Sequence, residues 1–380
     1  MPRRLRVGDL PTPALLLDLD VLEKNLARMA DRARTLGVHL RPHVKTHKCV
    51  EIGRMQAERG ARGFTVATLP EAHAFADAGF GDLTWAFPLV LGRLGEVIAL
   101  ARRITFRVLL DSAEALAALG AAARAAGVEV HAWLEVDSGH HRSGVDPDAP
   151  HSLELARRLA GERGVKFDGL LTHAGHSYHA RTRAERAAIA EQERAAMVGF
   201  GARLAREGLA VPGISVGSTP AMSAVERLDG VTEVRPGNYA FYDFMQLANG
   251  VCAAEDCAVT VLSSVVSHQV GAPHVVVDAG ALTLSKDPGP HDPELARGLG
   301  PVLRGLEGAE LEPRVEVRAV SQEHGMVGGG SPADVAGRFA VGDKIRILPN
   351  HSCLTAAMFD RYEVVRGGEV VDEWKIWRGR

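Results

Sequence analysis

Along the chain, short apolar runs alternate with longer amphipathic stretches. ALLLDLD (14–20) has the character of a strand, and VLEKNLARMADRARTLG (21–37) carries a helical apolar stripe closed by Gly37. VHLRPHV (38–44) is again strand-like, and GFTVAT (63–68) precedes a helix opening at Pro70. DLTWAFPL (82–89), ITFRVLLD (104–111), VEVHAWLEVD (128–137), KFDGLLTHA (166–174) and GISVGS (213–218) continue the rhythm. About eight strands alternating with helices over roughly 240 residues predict a (β/α)8 TIM-like barrel, with an open doubly wound sheet as the alternative. From about residue 246 the pattern changes. AVTVLSSVVSHQV (258–270), PHVVVDAG (273–280), RVEVRAVSQ (314–322), DKIRILPN (343–350) and RYEVVRGGEVVDEWKIW (361–377) are β-branched runs with little helix between them. The expected organisation is therefore a barrel over 11–245 and a β-rich domain over 246–380, which residues 1–10 could join. Gly367-Gly368 predicts a hairpin turn, and 287–308 reads as an irregular excursion.

Composition changes this picture little, but it excludes several functions. A chain of 380 residues, 46% hydrophobic and 24% charged, is ordinary globular material. With a formal net charge of -3 and no basic stripe, there is no electrostatic case for nucleic acid or an acidic membrane. No apolar run is long enough to span a bilayer. The arginines of MPRRLRVGDL are not followed by the apolar region of a secretory signal. Four cysteines in a chain of this length do not make a disulfide scaffold, and a reducing cytoplasm is the expected setting.

The candidate chemistry gathers at strand ends, where a barrel of this kind places its active site. In LRPHVKTHK (40–48), strand alternation would put Arg41, His43, Lys45 and His47 on one face. Cationic neighbours disfavour an ammonium and free its amine to attack a carbonyl, so Lys45 is a candidate cofactor lysine. A solvated basic strand would show the same spacing. VDSGHHRSGV (136–145) presents Arg142 on a glycine-rich turn, and LLTHAGHSY (170–178) ends in His173, His176 and Tyr178. A neutral imidazole can lie against a pyridine ring without competing for its protons; a satisfied loop histidine is the plainer reading. Ser218 and Thr219 precede Pro220 as at a helix start, and Gly237 permits close backbone approach, so both turns are competent to hold an anion. His351 and Cys353, two apart in PNHSC, would point to one side of an extended segment. An imidazole and a thiolate suit Zn²⁺ or another borderline metal, and two ligands would leave positions open. A buried free cysteine beside an unrelated histidine is the alternative.

TPALLLDLDVLEKN, RPHVKTHK, the VDSG–Arg142 turn, THAGHSY, RPGNYAFYD, VVVDAG, SQEHG and PNHSC, in this order from about residue 11 to 377, resemble the D-threonine aldolase and D-serine dehydratase family. These are fold type III pyridoxal-phosphate (PLP) enzymes with an alanine-racemase-like barrel. The resemblance implies that Lys45 holds PLP covalently and His173 stacks on its ring. It implies that Arg142 lies near the phenolate oxygen and Arg235 at the pyridine nitrogen. Ser218, Thr219, Gly237 and Asn238 look like the phosphate cradle, and Tyr178 and Tyr239 stand in the same cofactor-binding motifs. His351 and Cys353 resemble the ligands of a divalent metal (Zn²⁺, or Mn²⁺ or Mg²⁺). The aldolases have His-x-Asp at that position, whereas His351-Ser352-Cys353 is similar to the dehydratases, including those acting on D-threo-3-hydroxyaspartate. The resemblance therefore implies a homodimeric, PLP- and metal-dependent dehydratase of D-3-hydroxy amino acids. A D-threonine aldolase comes second, and an amino-acid racemase or a non-catalytic PLP-binding protein after it.

Overall fold

The computed structural model describes residues 5–290 and 292–379. The chain divides into two compact units. One comprises the residues up to Ala27, Thr46–Cys49 and Asn238–Ile376; the other comprises Arg28–Lys45, Val50–Gly237 and the residues from Trp377. The strands are β1 (Ala14–Asp18), β2 (His39–Leu40), β3 (Phe64–Val66), β4 (Asp82–Pro88), β5 (Thr105–Leu110), β6 (Val130–Glu135), β7 (Val165–Leu171), β8 (Ile214–Val216) and β9 (Glu233–Val234). They continue with β10 (Val259–Ser267), β11 (His274–Val277), β12 (Pro301–Leu303), β13 (Leu311–Val320), β14 (Gly325–Gly328), β15 (Lys344–Ile347), β16 (Arg361–Arg366) and β17 (Glu369–Lys375).

In the second unit, eight strands run parallel in the order β2-β9-β8-β7-β6-β5-β4-β3. A further parallel bridge, His43 to Thr65, joins the ends of that row and closes the barrel. Several of the helices that follow these strands carry clear start signals. Ser112 caps Ala113–Ala126, which stops at left-handed Gly127, and Thr182 with Glu185 forms a capping box at Arg183–Arg206. At Gly169 in β7 (φ +126) a Cβ would run into the Gly213 carbonyl, so only glycine allows β7 its local kink.

The expected barrel forms, but with one substitution among its strands. β1, read from sequence as the first barrel strand, lies instead in the other unit, antiparallel to β10 and parallel to β16. The eighth barrel strand is β9, whose two residues pair with His39–Leu40 and Ser215–Val216. An apolar run shows that a segment is a strand but not which distant edge it joins. Two residues followed by Arg235-Pro236 are too short to show any period.

The first unit is the expected β-rich body. Its nine-stranded sheet has the order β11-β14-β13-β12-β15-β10-β1-β16-β17. An added β10–β11 pairing curls six of these strands into a barrel-like ring. The β16–β17 hairpin turns at Gly367 and Gly368, both at positive φ, as the Gly-Gly signal predicted. The stretch 287–308, expected to be irregular, contributes the short strand β12. Among the described residues, no helix is long and apolar enough to cross a membrane.

Candidate active site

Eight of the residues singled out from sequence follow the C-terminal ends of barrel strands. Lys45 comes after β2, Arg142 after β6, His173 and Tyr178 after β7, Ser218 and Thr219 after β8, and Arg235 and Gly237 after β9. The alternation argument for Lys45 fails, however. The strand ends at Leu40, and Lys45 sits in a 3-10 turn, Val44–Thr46, where its backbone N–H donates to His43 Nδ1 at 3.4 Å. Arg41 is buried within the barrel on Glu233 and Asp82. His47 is buried in the other unit, its carbonyl accepting from the Tyr362 hydroxyl at 2.7 Å. These four residues do not share a face. The turn, not the pleat, presents the lysine.

His173 is the best-defined neighbour of that turn. Burial first, then the charges of Lys45, Arg235 and Arg142, push its pKa well below the ordinary value, so the ring is neutral near pH 7. His140 meets it edge-on at 6.2 Å between centroids, and Tyr178 lies at 6.5 Å. The backbone here is held by a carboxylate that sequence reading missed. Glu193 Oε1 accepts N–H groups from Ala174 (3.1 Å) and Gly217 (3.2 Å), tying the ends of β7 and β8 together. A lone glutamate in a helix gives no sequence signal for this. The Arg142 turn is organised by Asp137, whose Oδ1 accepts from Gly139 (2.9 Å) and His141 (3.0 Å); Arg142 itself is exposed. Ser218 caps a short helix, accepting from Ala221 N at 3.2 Å and bonding Ser177 Oγ at 2.7 Å. Arg235, buried, donates from Nε to Ser215 Oγ at 2.8 Å and from Nη2 to the Thr172 carbonyl.

The depressed His173 pKa has a consequence for stability. Below the unfolded histidine value of about 6.5 the unfolded chain takes up a proton that the folded ring refuses. Stability is therefore expected to fall as pH drops from there toward the lower folded value. Melting temperatures between pH 8 and 5.5 should show this loss, and His173→Gln should flatten it. Equal slopes for both proteins would show that other groups carry the effect.

Asn238, Tyr239, His351 and Cys353 lie in the β-rich unit. Asn238 and Tyr239 are buried in one 3-10 turn. The Asn238 amide donates to Asp243 Oδ2 (2.7 Å) and Ser352 Oγ (3.1 Å), and weakly to Cys353 Sγ (3.8 Å). Its Oδ1 is buried without a hydrogen-bond partner. His351 and Cys353 do not stand on an extended segment. His351 is the N-cap of the helix Ser352–Ala356, and Cys353 lies in its first turn. They are neighbours all the same, close enough to hydrogen-bond. His351 Nδ1 is fixed on Asp287 Oδ2 at 3.0 Å, and Thr46 Oγ1 lies 3.3 Å from Cys353 Sγ. Asp287, unremarkable in KDPGP, is a partner that sequence reading missed.

This donor set fits a divalent cation. A carboxylate on Nδ1 fixes the ring tautomer and leaves Nε2 for a metal, and the Cys353 sulfur beside it is of the donor type that borderline metals take. The local field agrees. Although burial opposes it, Asp287, Cys353 and Asp243 push the His351 pKa up to about 11. A place that holds a proton so firmly is electronegative, and a cation can take the proton's position. Among the described residues, no group of three or more His, Cys, Asp or Glu completes a closed metal site.

A closed parallel barrel with a lysine at its rim, continued in one chain by a mostly-strand body, is the alanine-racemase-like architecture of fold type III enzymes. Residues 17–243 match the family model described as alanine racemase, N-terminal domain, and residues 258–365 match that described as putative serine dehydratase domain. The chain is 41% identical over 374 residues to D-threo-3-hydroxyaspartate dehydratase of Delftia sp. (strain HT23), covering 97% of this chain and 98% of that one. It is 34% identical to D-threonine aldolase of Arthrobacter sp, covering 96% and 92%. A solved mutant of D-threo-3-hydroxyaspartate dehydratase in its metal-free form superposes with a TM-score of 0.93 at 39% identity, covering 99% of this chain and 100% of that one. The protein thus belongs to the D-serine dehydratase and D-threonine aldolase family of fold type III lyases, and that membership implies pyridoxal phosphate.

The barrel rim fits this cofactor. A neutral buried imidazole beside a lysine can face an aromatic ring, and the turn at Gly217 and Ser218 offers backbone and hydroxyl groups to a phosphate.

Proposed function

We propose that this protein is a PLP- and metal-dependent dehydratase that converts D-3-hydroxy amino acids (D-serine, D-threonine or D-threo-3-hydroxyaspartate) to 2-oxo acids and ammonia. One observation carries the choice of reaction. The pair beside Asp287 is His351 with Cys353, the point at which the chain parts from the aldolase His-x-Asp pattern. Similarity to D-threo-3-hydroxyaspartate dehydratase along nearly the whole chain supports it.

When bound, PLP supplies an electron sink for charge developing at Cα, and the metal a Lewis acid for the departing 3-hydroxyl. Lys45 would hold the cofactor and, once displaced by substrate, its Nζ removes the Cα proton. His173 stays neutral against the ring, since four neighbouring cationic or potentially cationic groups and burial oppose its protonation. Arg142, Arg235, Tyr178 and Tyr239 orient the cofactor, and the Ser218–Thr219 and Gly237–Asn238 turns hold its phosphate. His351 Nε2 and the Cys353 thiolate hold the metal, with Asp287 fixing the imidazole. The substrate is a small D-3-hydroxy amino acid, the setting the cytoplasm, and the assembly a homodimer.

Incubation with PLP, Mn²⁺ or Zn²⁺ and D-threonine should yield 2-oxobutanoate. Glycine plus acetaldehyde would make the protein an aldolase, and a preference for L-threonine would overturn the stereochemical assignment. Light scattering at micromolar concentration should report a dimer; a fully active monomer would contradict that part.

A further inference from the structure

The interior of a parallel barrel is usually filled by layers of Val, Ile and Leu. Here part of it is ionic. His131 Nδ1 lies 2.9 Å from Asp168, Arg107 links Asp168 to Asp82, and Arg41 links Asp82 to Glu233, with Nε 2.8 Å from Oε2. The other Glu233 oxygen, Oε1, accepts from Ser215 Oγ at 2.7 Å, and Ser215 Oγ accepts in turn from Arg235 Nε at 2.8 Å. Ser215 is 0%, Arg235 5% and Glu233 6% exposed. Buried charges of this kind are weak evidence for stability, because desolvation cancels much of their attraction. They do impose geometry. A hydroxyl has a single proton; with it donated to Glu233 Oε1, only lone pairs face Arg235. Ser215 can therefore accept the guanidinium and cannot repel it. With Nε and Nη2 tied to Ser215 and Thr172, Nη1 is the nitrogen left for a ligand. Burial works against the Arg235 charge, and Glu233, Glu193 and Glu135 restore part of what it loses.

We propose that Glu233 and Ser215 are positioning residues that clamp the Arg235 guanidinium at the cofactor ring, with Glu233 acting through the Ser215 hydroxyl. This rests on the reading of Arg235 as the arginine at the ring nitrogen. Loss of either residue frees the guanidinium to rotate toward Glu193 or Glu135, and the cofactor loses a fixed donor.

The test uses the PLP-loaded enzyme and reads the absorption maximum of bound PLP, its dissociation constant and the melting temperature. Arg235→Lys is expected to move the band and weaken PLP. Ser215→Ala and Glu233→Gln should each move the band in the same direction and weaken PLP about tenfold, the scale for removing the partner that orients a ligand-binding group. The double variant should be no worse than Glu233→Gln alone, since both act along one path. Asp168→Asn, at the far end of the network, should lower the melting temperature and leave the band in place. If Glu233→Gln does not fold, Ser215→Ala, which removes one oxygen, decides alone. A band that moves in Arg235→Lys but in neither Ser215→Ala nor Glu233→Gln would overturn the clamp. So would full additivity in the double variant. A band unmoved in Arg235→Lys would overturn the reading of Arg235, and the clamp with it.

Discussion

Lys45→Ala is expected to lose turnover by about 10,000-fold, the upper range for a group that moves a proton in the transition state. The loss should be larger than for any other single change at the rim, because the proposed function gives this one amine two tasks. It anchors PLP covalently, and it carries the Cα proton. His173, its buried neighbour, is held neutral but is packed against His140 and Tyr178. Arg142 and Arg235 are too basic to accept a proton near neutral pH. Borohydride treatment of the wild-type enzyme should fix PLP to Lys45, as read by peptide mapping, and the variant should bind PLP only reversibly. Label recovered on Lys48 or Lys286 would sink the assignment.

Chelation is expected to abolish lyase activity while the melting temperature and the PLP absorption band barely change. The reason is that the loop proposed to hold the metal is fixed by the protein itself. Ser352 donates from N (3.0 Å) and Oγ (3.2 Å) to Asp243 Oδ2, and Phe244 and Met245 donate to the carbonyls of Pro349 and Asn350. The Asn350 amide reaches the carbonyls of Asp287 and Gly298 at 3.0 and 2.9 Å. With so many local bonds in place, two ligand bonds add little to folding, and the binding energy of the ion is free to act on substrate. His351→Ala and Cys353→Ala should each match the chelated enzyme. Asp287→Asn should be milder, weakening metal affinity about 10- to 100-fold. Full activity on D-serine or D-threonine after chelation would remove the metal from the mechanism.

Several neighbours in the candidate site were legible because they lie in short contiguous motifs. PNHSC brings His351 and Cys353 together within three residues, and their proximity survived an error about backbone shape: a helix start, not a strand, makes them neighbours. Lys45 is a similar case. The residue was read from RPHVKTHK on a pleat that the chain abandons after Leu40. The partners that were missed are distant in sequence. Asp287 lies 64 residues from His351, Glu193 reaches Gly217 across 24, and Glu233 reaches Arg41 across 192. Single carboxylates in polar surroundings carry no mark of such pairings.

The sequence by itself determined the class of elements, their order and the division into a barrel-forming part and a strand-rich part, because apolar period and turn chemistry are local properties written in consecutive residues. It also read Lys45 and His173 at the ends of strands, which is where they follow β2 and β7. Only the tertiary structure decided that β1 leaves the barrel and the two-residue β9 completes it, since strand partners are chosen by distant edges competing for the same hydrogen bonds. Only the tertiary structure put Glu233 and Ser215 behind Arg235, and Asp287 behind His351. A buried charge must find its counterpart wherever folding brings one, and no local rule says where that will be.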